Sequence, residues 1–228
     1  MLLEWLAPTS LLQRQGASLG KQAWARPGVA LDAVQLGGWD SLGRLLRAKP
    51  SPDVLVVAGG KHLQESAPRS LIELELLMRR GIGLCVRRSE RHDPTLGELT
   101  SSLSACLGRH VHLQVFATPG GTHGFGWHYD SEDVLIVQTA GVKDYYFREN
   151  TVDHRVPRGG RADFSRFRVE KSPLQTARLI AGDCLFIPAR WWHVAHSVED
   201  SLSMSFGLWE SLGPAQTFSP ERDALHDR

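Results

Sequence analysis

The second half of the chain is built from short apolar runs of strand length, separated by glycine, proline and aspartate. Six such runs at this spacing predict an antiparallel sandwich or a small barrel. They cover residues 111–118, 133–141, 143–149, 176–183, 184–188 and 201–208.

The first half mixes strands with helices. Residues 53–59 form an apolar run ended by glycines, which predicts a buried strand, and residues 82–86 predict another. Residues 67–80 carry leucines at helical spacing and predict a helix. A second helix is expected to begin at Asp93 and to end at Gly108. The whole pattern predicts a mainly β fold with helical decoration on a double-sheet core.

No linker or repeat divides the chain, so we expect a single domain. Residues 1–50 would form a partly helical lead-in packed on a core that spans residues 51–228. Hydrophobic residues make up 42% and charged residues 22% of the 228, as in ordinary globular proteins. A net charge of +1 gives no electrostatic reason to expect nucleic acid or a membrane as partner. Three widely spaced cysteines favour a reducing, cytoplasmic setting.

Two motifs carry candidate metal ligands. The motif Gly-Phe-Gly-Trp-His-Tyr-Asp ends in His128 and Asp130, and Gly-Asp-Cys-Leu-Phe-Ile-Pro-Ala-Arg-Trp-Trp-His ends in His193. Side chains two apart on a strand share a face, so His128 and Asp130 would project together, with His193 arriving from another strand. Two histidines and a carboxylate form the facial triad of non-haem iron(II), although manganese, cobalt, nickel and zinc also suit such ligands. The competing interpretation is a pair of hydrogen-bonded structural histidines, which is the interpretation we prefer for His110 and His112.

Lys143 follows the apolar run 133–141, and Gly141 predicts a tight connection that folds it back beside the strand of His128. A half-buried ammonium group needs an anionic partner, and a dicarboxylate that chelates the metal would supply one. The alternative is a lysine at a solvated strand end. The glycine-rich loop before His128 predicts a turn that brings backbone close to the metal, with His123 and Trp127 in or beside it.

Residues 126–147 (GWHYDSEDVLIVQTAGVKDYYF) and 181–207 (AGDCLFIPARWWHVAHSVEDSLSMSFG) resemble the JmjC, or cupin-like, 2-oxoglutarate-dependent oxygenases. The most similar branch contains the ribosomal-protein hydroxylases and the asparaginyl hydroxylase that inhibits hypoxia-inducible factor. The resemblance covers roughly residues 50 to 210. It implies a double-stranded β-helix, or jelly roll, with the triad as the catalytic Fe(II) ligands. It also implies that Lys143 pairs with the distal carboxylate of the co-substrate 2-oxoglutarate.

The same resemblance suggests further residues around the metal. A polar residue near the co-substrate is expected on the last core strand, at Ser203 or Ser205. Other candidates for the co-substrate shell are Gln114, Thr118 and Tyr145, and candidates for the substrate side are His123, Trp127, Arg190 and Trp192. The chain departs from the asparaginyl hydroxylase at Phe125, where that enzyme carries a hydroxyl residue.

The function implied is hydroxylation of a peptide or protein side chain, with release of succinate and carbon dioxide. Two alternatives stay open: a hydroxylase of a small molecule, and a non-catalytic metal-binding module. The first stays open because the chain is compact and the resemblance does not extend to the dimerisation and winged-helix regions that follow the barrel in the ribosomal branch. The arginine-rich residues 155–172 are either a lid over an acidic or peptide-like substrate or a solvated loop. The oligomeric state is left open, with a homodimer as one option.

Overall fold

The structure is a computed structural model that describes residues 21–152 and 167–209. Its described part contains eleven strands in two antiparallel sheets and four α-helices. The large sheet holds β1 (Trp24–Arg26), β2 (Asp53–Ala58), β3 (Lys61–Leu63), β4 (Gly83–Arg87), β5 (His110–Thr118), β6 (Asp133–Ala140), β9 (Cys184–Ile187) and β11 (Ser201–Trp209). The small sheet holds β7 (Lys143–Arg148), β8 (Gln175–Leu179) and β10 (Trp192–Ser197).

The strand order defines a jelly roll. The large sheet runs β1-β9-β6-β11-β5-β4-β2-β3 and the small sheet β10-β7-β8. From β6 onward the chain crosses between the two sheets four times, at β6 to β7, β8 to β9, β9 to β10 and β10 to β11. His128 continues the small sheet as an isolated bridge to His193 on β10. The mainly β, double-sheet fold predicted from the apolar runs is confirmed.

Four helices cover the outer face of the large sheet: α1 (Leu31–Leu36), α2 (Trp39–Arg47), α3 (Leu71–Met78) and α4 (Pro94–Leu107). The Asp93 carboxylate caps α4 by accepting from the backbone of Thr95 and Leu96, and Gly108 ends it with a φ of 61°. The helix predicted for residues 67–80 is shorter than expected. Ser70 caps its first turn, so α3 begins after Pro68 rather than at it.

The interior between the two sheets has an apolar half and a polar half. Apolar side chains of β6, β7, β8 and β9 pack together in one half. On β5 and β11 the apolar side chains face the helices instead, because Val115 and Met204 belong to the helix-side core. Strand alternation then turns Gln114 and Ser203 toward the small sheet. The polar half of the interior is where the motif histidines lie.

Several expectations fall partly or wholly outside the described residues. Of the predicted lead-in, residues 1–20 lie outside, and the rest forms β1, α1 and α2. Most of the arginine-rich segment, residues 153–166, also lies outside. Within the described ranges no helix combines the length and the hydropathy needed to span a bilayer.

Candidate metal centre

His128 and His193 face each other across a single antiparallel bridge. The His128 amide donates to the His193 carbonyl over 3.1 Å, and the His193 amide donates back over 2.8 Å. This exchange places the two imidazole rings side by side, with centroids 4.2 Å apart. The histidines come from motifs more than sixty residues apart, and the bridge fixes their spacing.

Backbone carbonyls hold both rings in one tautomer. Nδ1 of His128 lies 2.7 Å from the Gly126 carbonyl oxygen, and Nδ1 of His193 lies 3.0 Å from that of Trp191. A carbonyl oxygen can only accept, so each Nδ1 carries a proton, and Nε2 has its lone pair whenever the ring is neutral. Metal-binding histidines are commonly oriented in this way. The glycine-rich loop thus brings backbone against the first ligand, as its sequence predicts.

Asp130 completes the cluster. Its Oδ2 lies 3.4 Å from Nε2 of His193, and its carbonyl accepts from the Arg190 amide over 2.7 Å. One donor atom from each of His128, Asp130 and His193 falls within 4.8 Å of the others, the only such group of three within residues 21–152 and 167–209. Two lone-pair imidazoles and a carboxylate suit Fe(II), so the residues present fit the expected metal.

The electrostatics of the cluster favour the metal-binding states of His128 and Asp130, whereas Asp130 favours a proton on His193. Burial, together with repulsion from His193, lowers the pKa of His128 below its ordinary value. Burial alone would raise the pKa of Asp130, but the hydrogen bond from His193 and the charges of both histidines outweigh it and lower that pKa to about 2. Burial opposes protonation of His193 too, yet the hydrogen bond and charge of Asp130 raise its pKa. Asp130 is therefore ionised, and it favours a proton on Nε2 of His193 that a bound metal ion would displace.

Lys143 is buried at the far end of the polar interior. Only 3% of its surface is exposed, and its ammonium group donates to Thr118 Oγ1 and Ser203 Oγ, each over 3.2 Å. Burial lowers its pKa to about 7. No carboxylate in the described part of the chain pairs with it. An ammonium group held only by two hydroxyls is a preformed anion site.

The route by which Lys143 reaches the site differs from the expected one. Gly141 does make a tight connection, with a φ of 67°, but β7 does not pair with the strand before it. Instead Lys143 lies opposite Ser197 on β10, the strand that carries His193. Lys143 is thus one strand away from the His128 segment rather than beside it.

The other predicted co-substrate residues divide into two groups. Thr118 and Ser203 contact Lys143 directly, and Tyr145 is buried and hydrogen-bonded to Ser203. Gln114 lies further along β5 opposite Ser205, and its amide oxygen accepts from the Cys85 thiol over 3.3 Å. Ser203 therefore stands closer to the expected position of the distal carboxylate than Ser205 does.

Phe125, at the position where the chain departs from the asparaginyl hydroxylase, packs against the first ligand. Its ring centroid lies 5.9 Å from that of His128 and 6.0 Å from that of Phe116 on β5. An apolar side chain thus contacts the first ligand.

The aromatic residues predicted to line the substrate side pack behind the metal ligands. Trp192 is fully buried, 4.8 Å from Tyr129 and 5.5 Å from Phe167 between ring centroids, and Trp127 stacks on Phe167 at 4.4 Å. Their neighbours in sequence are the ligands, and alternation turns adjacent side chains to opposite faces. The expectation that Trp192 lines the open side is therefore wrong, and Trp127 belongs to the same aromatic cluster.

His123 and Arg190 make other contacts near the cluster. The His123 ring lies 5.1 Å from that of His196, which shares the outer face of β10 with Trp192. Arg190 adopts a φ of 67° in the turn before β10 and binds the Asp130 carbonyl through its amide. That contact supports the position of the metal carboxylate through backbone.

Glu132 and His112 lie near the cluster but were not among the predicted site residues. Glu132 has only 13% of its side chain exposed, and its Oε1 lies 3.7 Å from Nε2 of His112 on β5. Burial, then repulsion from Asp130, raises the pKa of Glu132 to about 7. The available sequence clue was spacing, because Glu132 follows Asp130 by two residues and repeats the spacing of His128 and Asp130.

Fold and donor set together define a jelly-roll protein with a facial-triad metal site, the arrangement of mononuclear non-haem iron oxygenases. The chain belongs to the JmjC domain family, whose pattern matches residues 90–213, more than half of its length. This membership confirms the family expected from the motifs.

The chain is also similar in sequence to proteins named as hydroxylases and oxygenases. The chain is 31% identical over 108 residues to a bifunctional lysine-specific demethylase and histidyl-hydroxylase NO66 of Dictyostelium discoideum, and 26% identical over 125 residues to ribosomal oxygenase 1 of Gallus gallus. These alignments cover 47% and 54% of the chain but only 21% of each relative. The chain thus matches about a fifth of the length of these relatives.

Solved structures show the same fold. The ribosomal oxygenase YcfD of Escherichia coli in complex with cobalt and 2-oxoglutarate aligns with a TM-score of 0.59 at 18% identity, over 92% of this chain and 58% of that one. Another YcfD structure aligns with a TM-score of 0.62 at 15% identity, over 93% of this chain and 65% of that one.

Proposed function

We propose that the protein is an Fe(II)- and 2-oxoglutarate-dependent dioxygenase that hydroxylates a side chain of a peptide or protein. One observation carries this proposal: a His-Asp-His cluster and an uncompensated buried ammonium lie in the same polar interior. Membership of the JmjC family supports it, as does a fold shared with a protein solved with cobalt and 2-oxoglutarate.

His128, Asp130 and His193 would hold the metal, which supplies the activation of dioxygen and the oxidising power when bound. The chain contributes orientation. The carbonyls of Gly126 and Trp191 keep the imidazoles in the metal-binding tautomer. Lys143, held by Thr118 and Ser203, would bind the distal carboxylate of 2-oxoglutarate and retain its proton in doing so. The triad leaves coordination positions for the keto acid and dioxygen.

Turnover of 2-oxoglutarate tests the assignment of Asp130. With Fe(II) and 2-oxoglutarate supplied, Asp130→Ala should lower succinate release by about 100-fold or more, because it removes the only anionic ligand of the site. Succinate is quantified by mass spectrometry. Asp144→Ala is the matched control, since Asp144 pairs with Arg178 on the other face of the small sheet. Equal succinate release by Asp130→Ala and the wild type would contradict the proposal.

A peptide or protein substrate is favoured because relatives bear the names histidyl-hydroxylase and ribosomal oxygenase. Incubation with a dialysed proteome digest and, separately, with a metabolite extract distinguishes the substrate classes. We expect the mass of one oxygen atom to be gained by a peptide, and not when Asp130→Ala replaces the wild type. A gain confined to a small metabolite would favour the alternative hydroxylase.

A further inference from the structure

The strand β8 forms an exposed edge of the small sheet. It pairs with β7 through five consecutive residues, Gln175 to Leu179, without a shift in register. On its other side it pairs with no strand of residues 21–152 and 167–209. The backbone N–H and C=O groups along such an edge can pair with a further strand.

This edge lacks the features by which proteins commonly prevent pairing. The residues of β8 include no proline and no lysine, and the strand carries no bulge against β7. Its one charged residue, Arg178, donates to both carboxylate oxygens of Asp144 on β7, over 2.7 and 2.8 Å. A second strand can therefore approach β8 without meeting an uncompensated charge.

Two exposed apolar side chains flank the edge. Leu174 directly precedes β8 and is 53% exposed, and Ile180 directly follows it and is 54% exposed. Asp183 holds Ile180 in place, because its carboxylate accepts from the Ile180 amide and its own amide donates to the Ile180 carbonyl, each over 3.0 Å. Strand alternation places both apolar side chains on the outer face of the sheet, together with Thr176 and Arg178.

The pattern of the edge is self-complementary. Leu174 and Ile180 are each three residues away from Ala177. Two copies of β8 that pair antiparallel about Ala177 place Leu174 of one copy opposite Ile180 of the other, and a two-fold axis forms this contact twice. The net charge of the chain, +1, gives little repulsion between two copies.

We propose that β8 is a self-association surface, at which a second copy of the chain adds its own β8 in antiparallel register about Ala177. The dimer joins the two small sheets into one continuous sheet and covers Leu174 and Ile180. A strand of unrelated sequence would gain the backbone hydrogen bonds but not both apolar contacts, so a second copy fits the edge better. The inference concerns this edge alone and does not depend on the metal site or on the proposed function.

Sedimentation equilibrium of the whole chain measures the dissociation constant of the dimer, which we expect to lie in the micromolar range. Leu174→Glu and Ile180→Lys should each weaken dimerisation about 10-fold or more, because each places a charge against an apolar side chain twice per dimer. An equimolar mixture of the two variants should dimerise about 3-fold or more tightly than either variant alone. In the mixed dimer one contact pairs glutamate with lysine, and the other restores leucine against isoleucine.

Ile72→Lys, a substitution of an apolar residue that is 74% exposed on α3, is the control for added charge and should leave the dissociation constant unchanged. Circular dichroism checks that each variant keeps the fold. A wild type that stays monomeric at about 100 μM would leave the edge to a different partner and overturn the inference. Dimerisation that is insensitive to both substitutions, or a mixture that associates no better than its components, would overturn it as well.

Discussion

Lys143 is the residue whose burial most needs a ligand. Its ammonium group is held by two hydroxyls, and burial lowers its pKa from 10.5 to about 7. Between these values the unfolded chain binds a proton that the folded protein lacks. The contribution of Lys143 to the free energy of unfolding therefore rises as pH increases from about 7 to about 10.5. Below pH 7 the destabilisation caused by burying its charge is fully present.

We expect Lys143→Met to be more stable than the wild type at pH 7 when no ligand is present, by a few kcal/mol at most. The difference should shrink as pH rises from 7 toward 10. Urea unfolding of both proteins across this range measures it, and the titration of other groups cancels in the comparison. A difference that is constant with pH would contradict the account of Lys143.

His128, Asp130 and His193 were predictable because they lie in two contiguous motifs, and Lys143 because its segment resembles the family, although its path into the interior was not predicted. Glu132 and His112 were not, because they meet only through the packing of β5 against the loop after Asp130. Trp192 was assigned to the wrong face of β10, because the side chains of Trp192 and His193 are neighbours along a strand and point to opposite faces.

At the scale of elements, β11 depends on a glycine. His112 on β5 lies opposite Gly207, and its ring occupies the space that a side chain there would need. The strand can thus pair with β5 and also leave room for an imidazole between the sheets. The apolar run 201–208 predicts a strand, but the requirement for glycine within it follows only from the register.

Gly207→Ala should lower the free energy of unfolding by about 1–3 kcal/mol, because the added methyl group overlaps the His112 ring. In a His112→Ala background the Gly207→Ala substitution should lower the free energy of unfolding by less, because the ring that the methyl group overlaps is gone. Chemical denaturation of the four proteins gives the coupling free energy. Additive effects of the two substitutions would show that the ring and the glycine do not depend on each other.

Helix ends were predictable where capping chemistry is local. Asp93 and Gly108 bound α4 as expected, whereas α3 starts at Ser70 because its hydroxyl accepts from the Glu73 amide. The apolar residues of β10 are interrupted by His193 and His196, so this strand was not among the predicted apolar runs. Its pairing with β7 and with His128 overrides its local pattern.

At the scale of the whole molecule, the two faces of the large sheet have different roles. Helices bury its outer face in a continuous apolar core, and its inner face supplies polar residues from β5 and β11. Stability therefore comes mainly from one side of the sheet, and the other side can hold charged groups. The division of the chain into apolar runs predicts the sheets, but which face is polar depends on register.

This organisation places the metal cluster and the Lys143 ammonium group in the same polar interior. Binding of the co-substrate should consequently depend on both the metal and Lys143. The most direct test of the central claim is calorimetric titration of the protein with Co(II) and then with 2-oxoglutarate. We expect one equivalent of Co(II) to bind, and 2-oxoglutarate to bind only after Co(II) has been added. Both binding events should be lost in His128→Ala. In Lys143→Met, 2-oxoglutarate should bind about 10-fold or more weakly. Binding of 2-oxoglutarate that is indifferent to the metal or to Lys143 would contradict the account.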